Sequence, residues 1–213
     1  MPIVTAASGP ALQLILDETF PLWGDGLSRV DYERYNRAQT MTPWGRSHLE
    51  RVAWMDGDEV LASAKRYALE LGIGGSGVPC LGIGAVFTPP RHRGRGHAAA
   101  LIEALIDEAA GKGMQYALLF SEIGADYYAR LGFEPLSITE STLGLKRQPR
   151  EGAPAVLVRG GDERDIADIA AMHLKRAETY ALALNRSPEY ARHAIAKRRM
   201  LAALSPPGVR QLE

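Results

Sequence analysis

The stretch that decides how this chain folds is Val86-Phe87-Thr88-Pro89-Pro90-Arg91-His92-Arg93-Gly94-Arg95-Gly96. An apolar run from Pro79 to Thr88 predicts a strand, and Pro89-Pro90 ends it, because proline cannot donate to a β-ladder. Two glycines and three arginines follow, directly before a helical pattern. A turn of this kind at the beginning of a helix directs backbone N–H groups toward one point, so it predicts a binding site for an anion.

The residues after this turn predict a helix, a strand and a second short helix. Apolar side chains recur at helical spacing over 101–109, and Gly111 ends the pattern. Tyr116 to Phe120 is a short apolar run typical of a strand. Residues 124–131 predict a short helix that Gly132 closes. A last strand is expected at 143–146.

The residues before the turn predict two helices and a β-hairpin. One helix begins near Ser8 or Pro10 and continues to Phe20, and a second covers 28–39. Strands at 51–55 and 60–71 flank Asp56-Gly57-Asp58, a typical hairpin signal. The glycine-rich stretch 72–77 is expected to be a flexible loop. It also fits the pattern G-x-G-x-x-G, but a strand follows it instead of the helix that a dinucleotide site requires.

Two motifs in this order resemble the GNAT superfamily of acyl-CoA N-acyltransferases. The quoted stretch is similar to the strand of that superfamily followed by Arg-x-x-Gly-x-Gly, and residues 128–133, Tyr-Ala-Arg-Leu-Gly-Phe, resemble its Tyr-x-x-x-Gly-Phe element. The resemblance implies an α/β fold in which helices flank a mixed central sheet, with a C-terminal β-α-α extension here. It also implies an enzyme that moves an acetyl group from acetyl-CoA to a primary amine of a small molecule or peptide.

The resemblance further implies where CoA binds. The open edge of the strand is expected to pair with the pantetheine arm, and the turn is expected to hold the pyrophosphate through its backbone amides. The strand residues are Ala85, Val86, Phe87 and Thr88, and the turn residues are Arg91, His92, Arg93, Gly94, Arg95, Gly96 and His97.

Attack of an amine on a thioester needs an acid for the departing thiolate and a base for the amine proton. Tyr128 is the candidate acid, because the pKa of a phenol, near ~10, is matched to that of a thiol. Several members of the superfamily carry a glutamate on the strand that corresponds to 79–88, but this chain has none there. Glu122 is the first candidate base, Glu70 is another, and a relay through water is equally open.

Composition limits the other classes of function. Twenty-five basic residues balance 25 acidic ones, so nucleic acid is not an expected partner, although the run Lys197-Arg198-Arg199 leaves it as a weaker option. With Cys80 as the single cysteine, the chain cannot form an internal disulfide, and a cytoplasmic location is expected. Five scattered histidines predict no metal site. Acidic residues and a proline interrupt the apolar stretch 11–23, so no membrane span is expected.

The charge distribution indicates two segments. Residues 1–145 carry 12 basic and 17 acidic side chains, whereas 146–213 carry 13 and 8. We expect a GNAT domain over 1–147, a linker over 148–154 and a β-α-α segment over 155–213. That segment resembles the start of a second, degenerate GNAT unit, as in the tandem acetyltransferases of the enhanced-intracellular-survival type. About sixty residues bury little surface alone, so this segment should dock elsewhere, and a homo-oligomer is one possibility.

A second class of function competes with the enzyme. The missing strand glutamate favours a non-catalytic module that binds acyl-CoA, or another protein, on the same scaffold. The complete turn motif at 91–96 and Tyr128 favour the enzyme.

Overall fold

A mixed six-stranded β-sheet organises most of the chain in this computed structural model, which describes residues 1–121, 123–136 and 161–205. The described residues of Met1–Phe120 and Ile166–Glu213 form one compact unit, and those of Ser121–Asp165 form a second. The expected linker at 148–154 and the expected strands at 143–146 and 155–159 lie outside the described residues. The proposed domain boundaries therefore stay a prediction.

Seven α-helices and six strands make up the described residues, together with 3-10 turns at Pro90–His92 and Glu163–Asp165. In chain order they are β1 (Ile3–Ala6), α1 (Gly9–Trp23), α2 (Arg29–Met41), α3 (Pro43–His48), β2 (Leu49–Asp56), β3 (Glu59–Ile73), β4 (Ser76–Phe87), α4 (His97–Gly111), β5 (Tyr116–Leu119), α5 (Ala125–Ala129), α6 (Ile166–Ala177), β6 (Leu182–Leu184) and α7 (Pro188–Leu204).

The sheet order is β1-β2-β3-β4-β5, with β6 added to β3. The first four strands form an antiparallel meander, whereas β5 runs parallel to β4 because α4 carries the chain back across the sheet. β2 pairs with β3 only as far as Tyr67. β6 takes the antiparallel place beside β3 at Leu71–Ile73. This is the α/β fold with a mixed sheet that the sequence predicts.

Helices α2 and α4 cover opposite faces of the sheet. Lys65 donates to Gln39 of α2, while its neighbour Arg66 donates to Glu108 of α4. Successive residues of a strand point to opposite faces, so the two helices must lie on different sides. α4 buries Leu101 and Leu105, members of the apolar stripe that predicts this helix. The side chains of Arg51 and Lys65 therefore lie on the α2 face.

Most predicted elements are confirmed, and the differences are local. The predicted flexible loop at 72–77 is wrong, because β3 continues to Ile73 and β4 begins at Ser76. Only Gly74 and Gly75 form the turn, and both have the positive φ, 57° and 83°, that a tight two-residue hairpin turn requires. The strands β1 and β6 and the short helix α3 are not predicted.

The helices predicted near the C-terminus are present and pack on the N-terminal part of the chain. Ser187 caps α7 by accepting a hydrogen bond from the backbone N–H of Tyr190. Leu201 and Leu204 at the end of α7 pack against the buried cluster of Leu16, Leu27 and Tyr32. Among the described residues, no helix has both the length and the apolar character that crossing a bilayer demands.

Replacing Leu201 by alanine tests whether α7 belongs to this core. Leu201 is half-buried, so we expect Leu201→Ala to lower the free energy of unfolding by about 1 to 2 kcal/mol, below the range for a fully buried leucine. Urea denaturation measures the change. The control is Leu174→Ala on α6, because Leu174 is 55% exposed and its loss should change stability by less than about 0.5 kcal/mol. Equal effects of the two variants would contradict the packing of α7.

Candidate functional site

Strand β4 bends at one extra residue. Ser63 of β3 pairs with Phe87 of β4, and Lys65 pairs with Gly84. The two pairs are therefore two residues apart on β3 but three residues apart on β4. The extra residue is a β-bulge, and Ala85 within it has a φ of 48°, which a residue with a side chain rarely adopts. The bulge redirects β4 just before the turn motif.

The bend leaves one edge of β4 open. Pairing with β5 covers Cys80–Ile83 against Tyr116–Leu119 and ends there. From Gly84 to Phe87, no strand of the described residues pairs with β4 on this side. Ala85 and Val86 are half-buried in this opening. The backbone donors and acceptors that the sequence assigns to the pantetheine arm therefore lie on an available strand edge.

The turn motif leads into the uncapped N-terminus of α4. Gly94 and Gly96 have φ values of 76° and 81°, so a side chain at either position would be strained. Gly96 is the N-cap of α4, and no side chain caps the helix. The first amides of α4, beginning at His97, therefore lack the partner that a capping residue provides. This 15-residue helix presents its positive end to an anion.

The three arginines of the turn have different surroundings. Arg91 forms an ion pair with Glu18 of α1, with 2.6 Å between Nη1 and Oε1. The Nε atom of Arg93 donates to the carbonyl of Thr88 across 3.2 Å, which holds the turn against the end of β4. Arg95 is exposed and makes no ion pair within the described part of the chain. Arg93 and Arg95 are therefore the cations of the turn with no carboxylate on them.

His92 lies inside the turn. Its side chain is 6% exposed, its Nε2 lies 2.9 Å from Oε1 of Glu59, and its ring meets that of His97 edge to face at 5.9 Å. The Glu59 contact is not aligned as a hydrogen bond, and both ring nitrogens lack one. The His92 side chain therefore anchors the turn from within, and the backbone remains the part of His92 that can face a ligand.

Tyr128 belongs to the second unit. It lies in α5, which follows Gly124, and its side chain is 8% exposed. The ring packs edge to face against Tyr127 at 5.0 Å and Phe133 at 6.0 Å. The backbone N–H groups of Leu131 and Phe133 both donate to the Tyr128 carbonyl, so the Tyr-x-x-x-Gly-Phe element closes on itself.

The two candidate bases have different outcomes. Glu122 lies outside the described residues, so its role stays a prediction. Glu70 is exposed on β3, and its carboxylate accepts a hydrogen bond from the Asn185 side chain. It lies five positions along β3 from Lys65, the partner of Gly84, which is roughly 17 Å at the rise of a strand. Glu70 therefore holds the segment after β6 and is poorly placed for chemistry at the bulge.

A pair of cations lies next to the bulge on the α2 face. Arg51 of β2 and Lys65 of β3 are directly opposite each other in the sheet. The Nη2 atom of Arg51 donates to Oδ1 of Asn36 across 3.2 Å, and Nζ of Lys65 donates to Oε1 of Gln39 across 3.1 Å. Arg51 is only 7% exposed, and its Nη1 has no hydrogen-bond partner. Both partners are neutral amides, and within the described part of the chain neither cation forms an ion pair with a carboxylate.

Tyr67 connects these cations to β4. A Cβ atom on Gly84 would lie 3.3 Å from Cε2 of Tyr67, and one on Gly82 would lie 2.6 Å from Cδ1 of Leu69. These side chains occupy the space over both glycines. Burial raises the pKa of Tyr67 to about 12, so its hydroxyl stays protonated at neutral pH.

Helix α7 adds an aromatic and basic cluster to the same face. The Trp44 ring stacks on His48 at 4.8 Å and meets Tyr190 edge to face at 4.9 Å. The Nδ1 atom of His193 lies 2.7 Å from the Thr42 hydroxyl, and burial lowers the pKa of this histidine. The sequence analysis does not place Tyr190 and His193 here, because it assigns 155–213 to a separate segment.

A cavity of about 940 Å³ opens on this region. Its lining includes Asn36, Arg51, Lys65 and Tyr67. Of the described residues, no group of three or more His, Cys, Asp or Glu side chains is arranged to hold a metal ion.

The model of the acetyltransferase (GNAT) domain family matches residues 16–136. This range covers more than half of the chain, including the bulge, the turn and Tyr128. The chain belongs to the GNAT acetyltransferase family. It is therefore an N-acetyltransferase with acetyl-CoA as its acyl donor. No curated protein sequence matches it significantly.

Solved structures share the fold of this GNAT acetyltransferase at low sequence identity. A probable N-acyltransferase of Enterococcus faecalis matches with a TM-score of 0.52 and 15% identity over 63% of this chain, which spans only 32% of that protein. An acetyltransferase of Trypanosoma brucei matches with a TM-score of 0.51 and 21% sequence identity, and the match covers 68% of this chain and 100% of that protein. The structure of AAC(6')-Iy was solved in complex with a bisubstrate analogue made of CoA and acetylneamine. It matches with a TM-score of 0.51 and 18% sequence identity, and the match covers 70% of this chain and 99% of that protein.

The burial of Lys65 makes stability depend on pH. Burial lowers its pKa from 10.5 to about 7, and the positive charges of Arg51 and Lys197 add to the effect. The unfolded chain therefore binds this proton more tightly than the folded protein does. The stability of the wild type relative to Lys65→Met should then be constant below about pH 7 and rise from about pH 7 to 10.

Chemical denaturation at pH 6, 7, 8 and 9 measures the difference between the two proteins. The pKa values of Tyr35 and Tyr67 are raised to about 12, so neither phenol titrates in this range. Parallel stability curves for the wild type and Lys65→Met would contradict the burial of this charge.

Proposed function

We propose that this GNAT acetyltransferase moves the acetyl group of acetyl-CoA to a primary amine of a small molecule or peptide, by direct attack of the amine on the thioester. The observation that carries the proposal is the open edge of β4 at Gly84–Phe87, which leads directly into the uncapped N-terminus of α4. A strand edge and a helix N-terminus in sequence suit a ligand with an amide-bearing arm and a pyrophosphate, as CoA has.

The donor would lie along these two features. Ala85, Val86, Phe87 and Thr88 would pair with the amides of the pantetheine arm. The amides of 91–97 would hold the pyrophosphate, and the charges of Arg93 and Arg95 would add to the positive end of α4. The bulge at Ala85 supports this arrangement, because it turns the strand edge away from β5 where the arm must enter.

The reaction forms one bond and breaks one. The amine nitrogen attacks the thioester carbonyl carbon to form the N–C bond, the C–S bond breaks, and the thiolate of CoA leaves. In our proposal Glu122 accepts the proton that the amine nitrogen loses, and Tyr128 donates a proton to the thiolate. A backbone N–H on the open edge of β4 would stabilise the negative oxygen of the tetrahedral intermediate.

A non-catalytic module that binds acyl-CoA is the second candidate. The observation that favours it is the lack of a carboxylate on β4, where Ser76–Phe87 contains no Asp or Glu. Release of CoA from acetyl-CoA in the presence of a panel of amines separates the candidates, because only the enzyme produces thiol. We also propose a cytosolic location for the enzyme, since its single cysteine, Cys80, is buried and free.

Removal of the two unpaired turn cations tests the donor site. Acetyl-CoA should raise the Tm of the wild type, since a ligand that binds only the folded state adds about 2.7 kcal/mol at a hundredfold excess over Kd. The double variant Arg93→Ala, Arg95→Ala should weaken binding by at least about tenfold, because two charge-assisted contacts to phosphate are lost. Titration calorimetry measures both Kd values.

Arg34→Ala is the control for this experiment. Arg34 is an exposed arginine of α2 that pairs with Asp31, so its loss removes a positive charge far from the turn in sequence. It should bind acetyl-CoA like the wild type. If the double variant also binds like the wild type, the turn does not hold the pyrophosphate.

Tyr128→Phe and Glu122→Gln test the acid and the base. Tyr128→Phe should lower kcat by at least about tenfold, the size of a general-acid contribution, and leave the Kd of acetyl-CoA within about twofold. The packing against Tyr127 and Phe133 uses the ring and not the hydroxyl, so the fold should be kept. Glu122→Gln should remove the acidic limb of the pH profile of kcat/KM.

The two variants are independent in their outcomes. Unchanged turnover in Tyr128→Phe would remove the tyrosine as the acid. An unchanged pH profile in Glu122→Gln would remove the glutamate as the base and favour a relay through water.

A further inference from the structure

The two faces of the β2–β3 hairpin differ in the charges of their directly opposite side chains. On the α4 face, Glu50 and Arg66 are directly opposite, and their side chains form an ion pair at 2.6 Å. One position along, on the α2 face, Arg51 and Lys65 are directly opposite and carry like charges. Like charges at directly opposite positions destabilise a sheet. On the α4 face, by contrast, the directly opposite side chains carry complementary charges.

The cost of the like-charged pair is increased by burial. Arg51 is 7% exposed and keeps one guanidinium nitrogen, Nη1, without a hydrogen-bond partner. A buried, unsatisfied group that is also charged costs more than a neutral one. No carboxylate of the described residues forms an ion pair with Arg51 or Lys65, and these two side chains donate hydrogen bonds to the amides of Asn36 and Gln39.

The elements packed against this pair add positive charge. Lys197 of α7 is close enough to lower the pKa of both Lys65 and His193. The phenols of Tyr32 and Tyr67 also face Arg51, and burial raises the pKa of Tyr67 to about 12, so its hydroxyl stays neutral at physiological pH. Glu50 lines the same cavity, but its carboxylate is held by Arg66 on the other face. On the α2 face, the like charges of Arg51 and Lys65 are therefore directly opposite, and no carboxylate of the described residues forms an ion pair with either.

The position of this pair connects it to the proposed reaction. Lys65 is the pairing partner of Gly84, the residue before the bulge, and Tyr67 packs over Gly84. Arg51, Lys65 and Tyr67 all line the cavity of about 940 Å³, which is large enough for a small-molecule ligand. The cations thus lie beside the end of the open β4 edge, where the acetyl group of a bound donor would be.

We infer that the acceptor amine carries an anionic group, a carboxylate or a phosphate, which Arg51 and Lys65 bind in this cavity. The inference rests on the proposed function and names the class of its acceptor. An anion there would satisfy Nη1 of Arg51 and offset the like charges of the pair, with which no carboxylate of the described residues forms an ion pair. Binding the anionic end of the acceptor to β2 and β3 would leave its amine for the thioester at the bulge.

Matched pairs of amines test the inference by binding. Phenylalanine and phenethylamine differ by a carboxylate, and O-phosphoethanolamine and ethanolamine differ by a phosphate. Each compound is titrated into the CoA-saturated wild type, and the Kd is measured by calorimetry. The anionic member of at least one pair should bind at least about tenfold more tightly, as expected for charge-assisted hydrogen bonds to a buried arginine. The pair with the larger ratio distinguishes a carboxylate from a phosphate.

Three variants show whether Arg51 and Lys65 cause the preference. Arg51→Met and Lys65→Met should reduce the ratio within the preferred pair to about threefold or less, since each removes a charge that contacts the anion. Arg34→Met, the same change on the exposed side of α2, should keep the ratio of the wild type. If Arg51→Met does not fold, Arg51→Gln, which keeps a donor for Asn36, replaces it.

These experiments distinguish a failure of the inference about the acceptor from a failure of the proposed function. Equal binding of both members in both pairs would overturn the inference, and so would a preference that survives in Arg51→Met and Lys65→Met. Binding of anionic amines without release of CoA in a turnover assay would support the anion site and count against the acetyltransferase proposal. Release of CoA with neutral amines only would support the acetyltransferase proposal and contradict the anion site.

Discussion

The bulge at Ala85 is the constraint on which the arrangement of the donor site depends. Before it, Cys80–Ile83 of β4 pairs on both sides, with β3 and β5. After it, the pairing with β3 resumes in a new register while the pairing with β5 has ended. One edge of β4 is thereby left without a partner strand among the described residues. The turn and the start of α4 follow within twelve residues of Ala85, so the site proposed for the pyrophosphate depends on the same bend.

The central part of the fold could be predicted from the sequence because its signals are local. Pro89-Pro90 ends β4, and the stripe that includes Leu101 and Leu105 produces α4. The missed strands have no such signal. β1 is four residues long and is fixed by its pairing with β2, and β6 is three residues long and exists because β3 extends beyond Tyr67. Their formation depends on partners far away in the chain, which periodicity does not register.

The candidate site divides in the same way. The donor side is contiguous, so a motif of eleven residues located the open strand edge, the glycines with positive φ and the helix N-terminus. The acceptor side is assembled from β2, β3, α2, α3 and α7, and only the register of the sheet makes Arg51 and Lys65 neighbours. A charged residue within each of two strands that bury apolar residues is the signal that could have indicated them. Without the pairing, neither residue points to the other.

The two sides of the candidate site also differ in the partners of their positively charged side chains. On the donor side, Arg91 is held by Glu18 and Arg93 by a carbonyl, so the turn is fixed before a ligand arrives. On the proposed acceptor side, the buried Arg51 and the half-buried Lys65 form a like-charged pair, although apolar residues of similar volume would cost less there. A local arrangement that lowers the free energy of unfolding and stabilises no other part of the fold is expected at functional sites. Charge on Arg51 is permanent, whereas burial brings the pKa of Lys65 to about 7, so the strength of the anion site would change within the physiological range of pH.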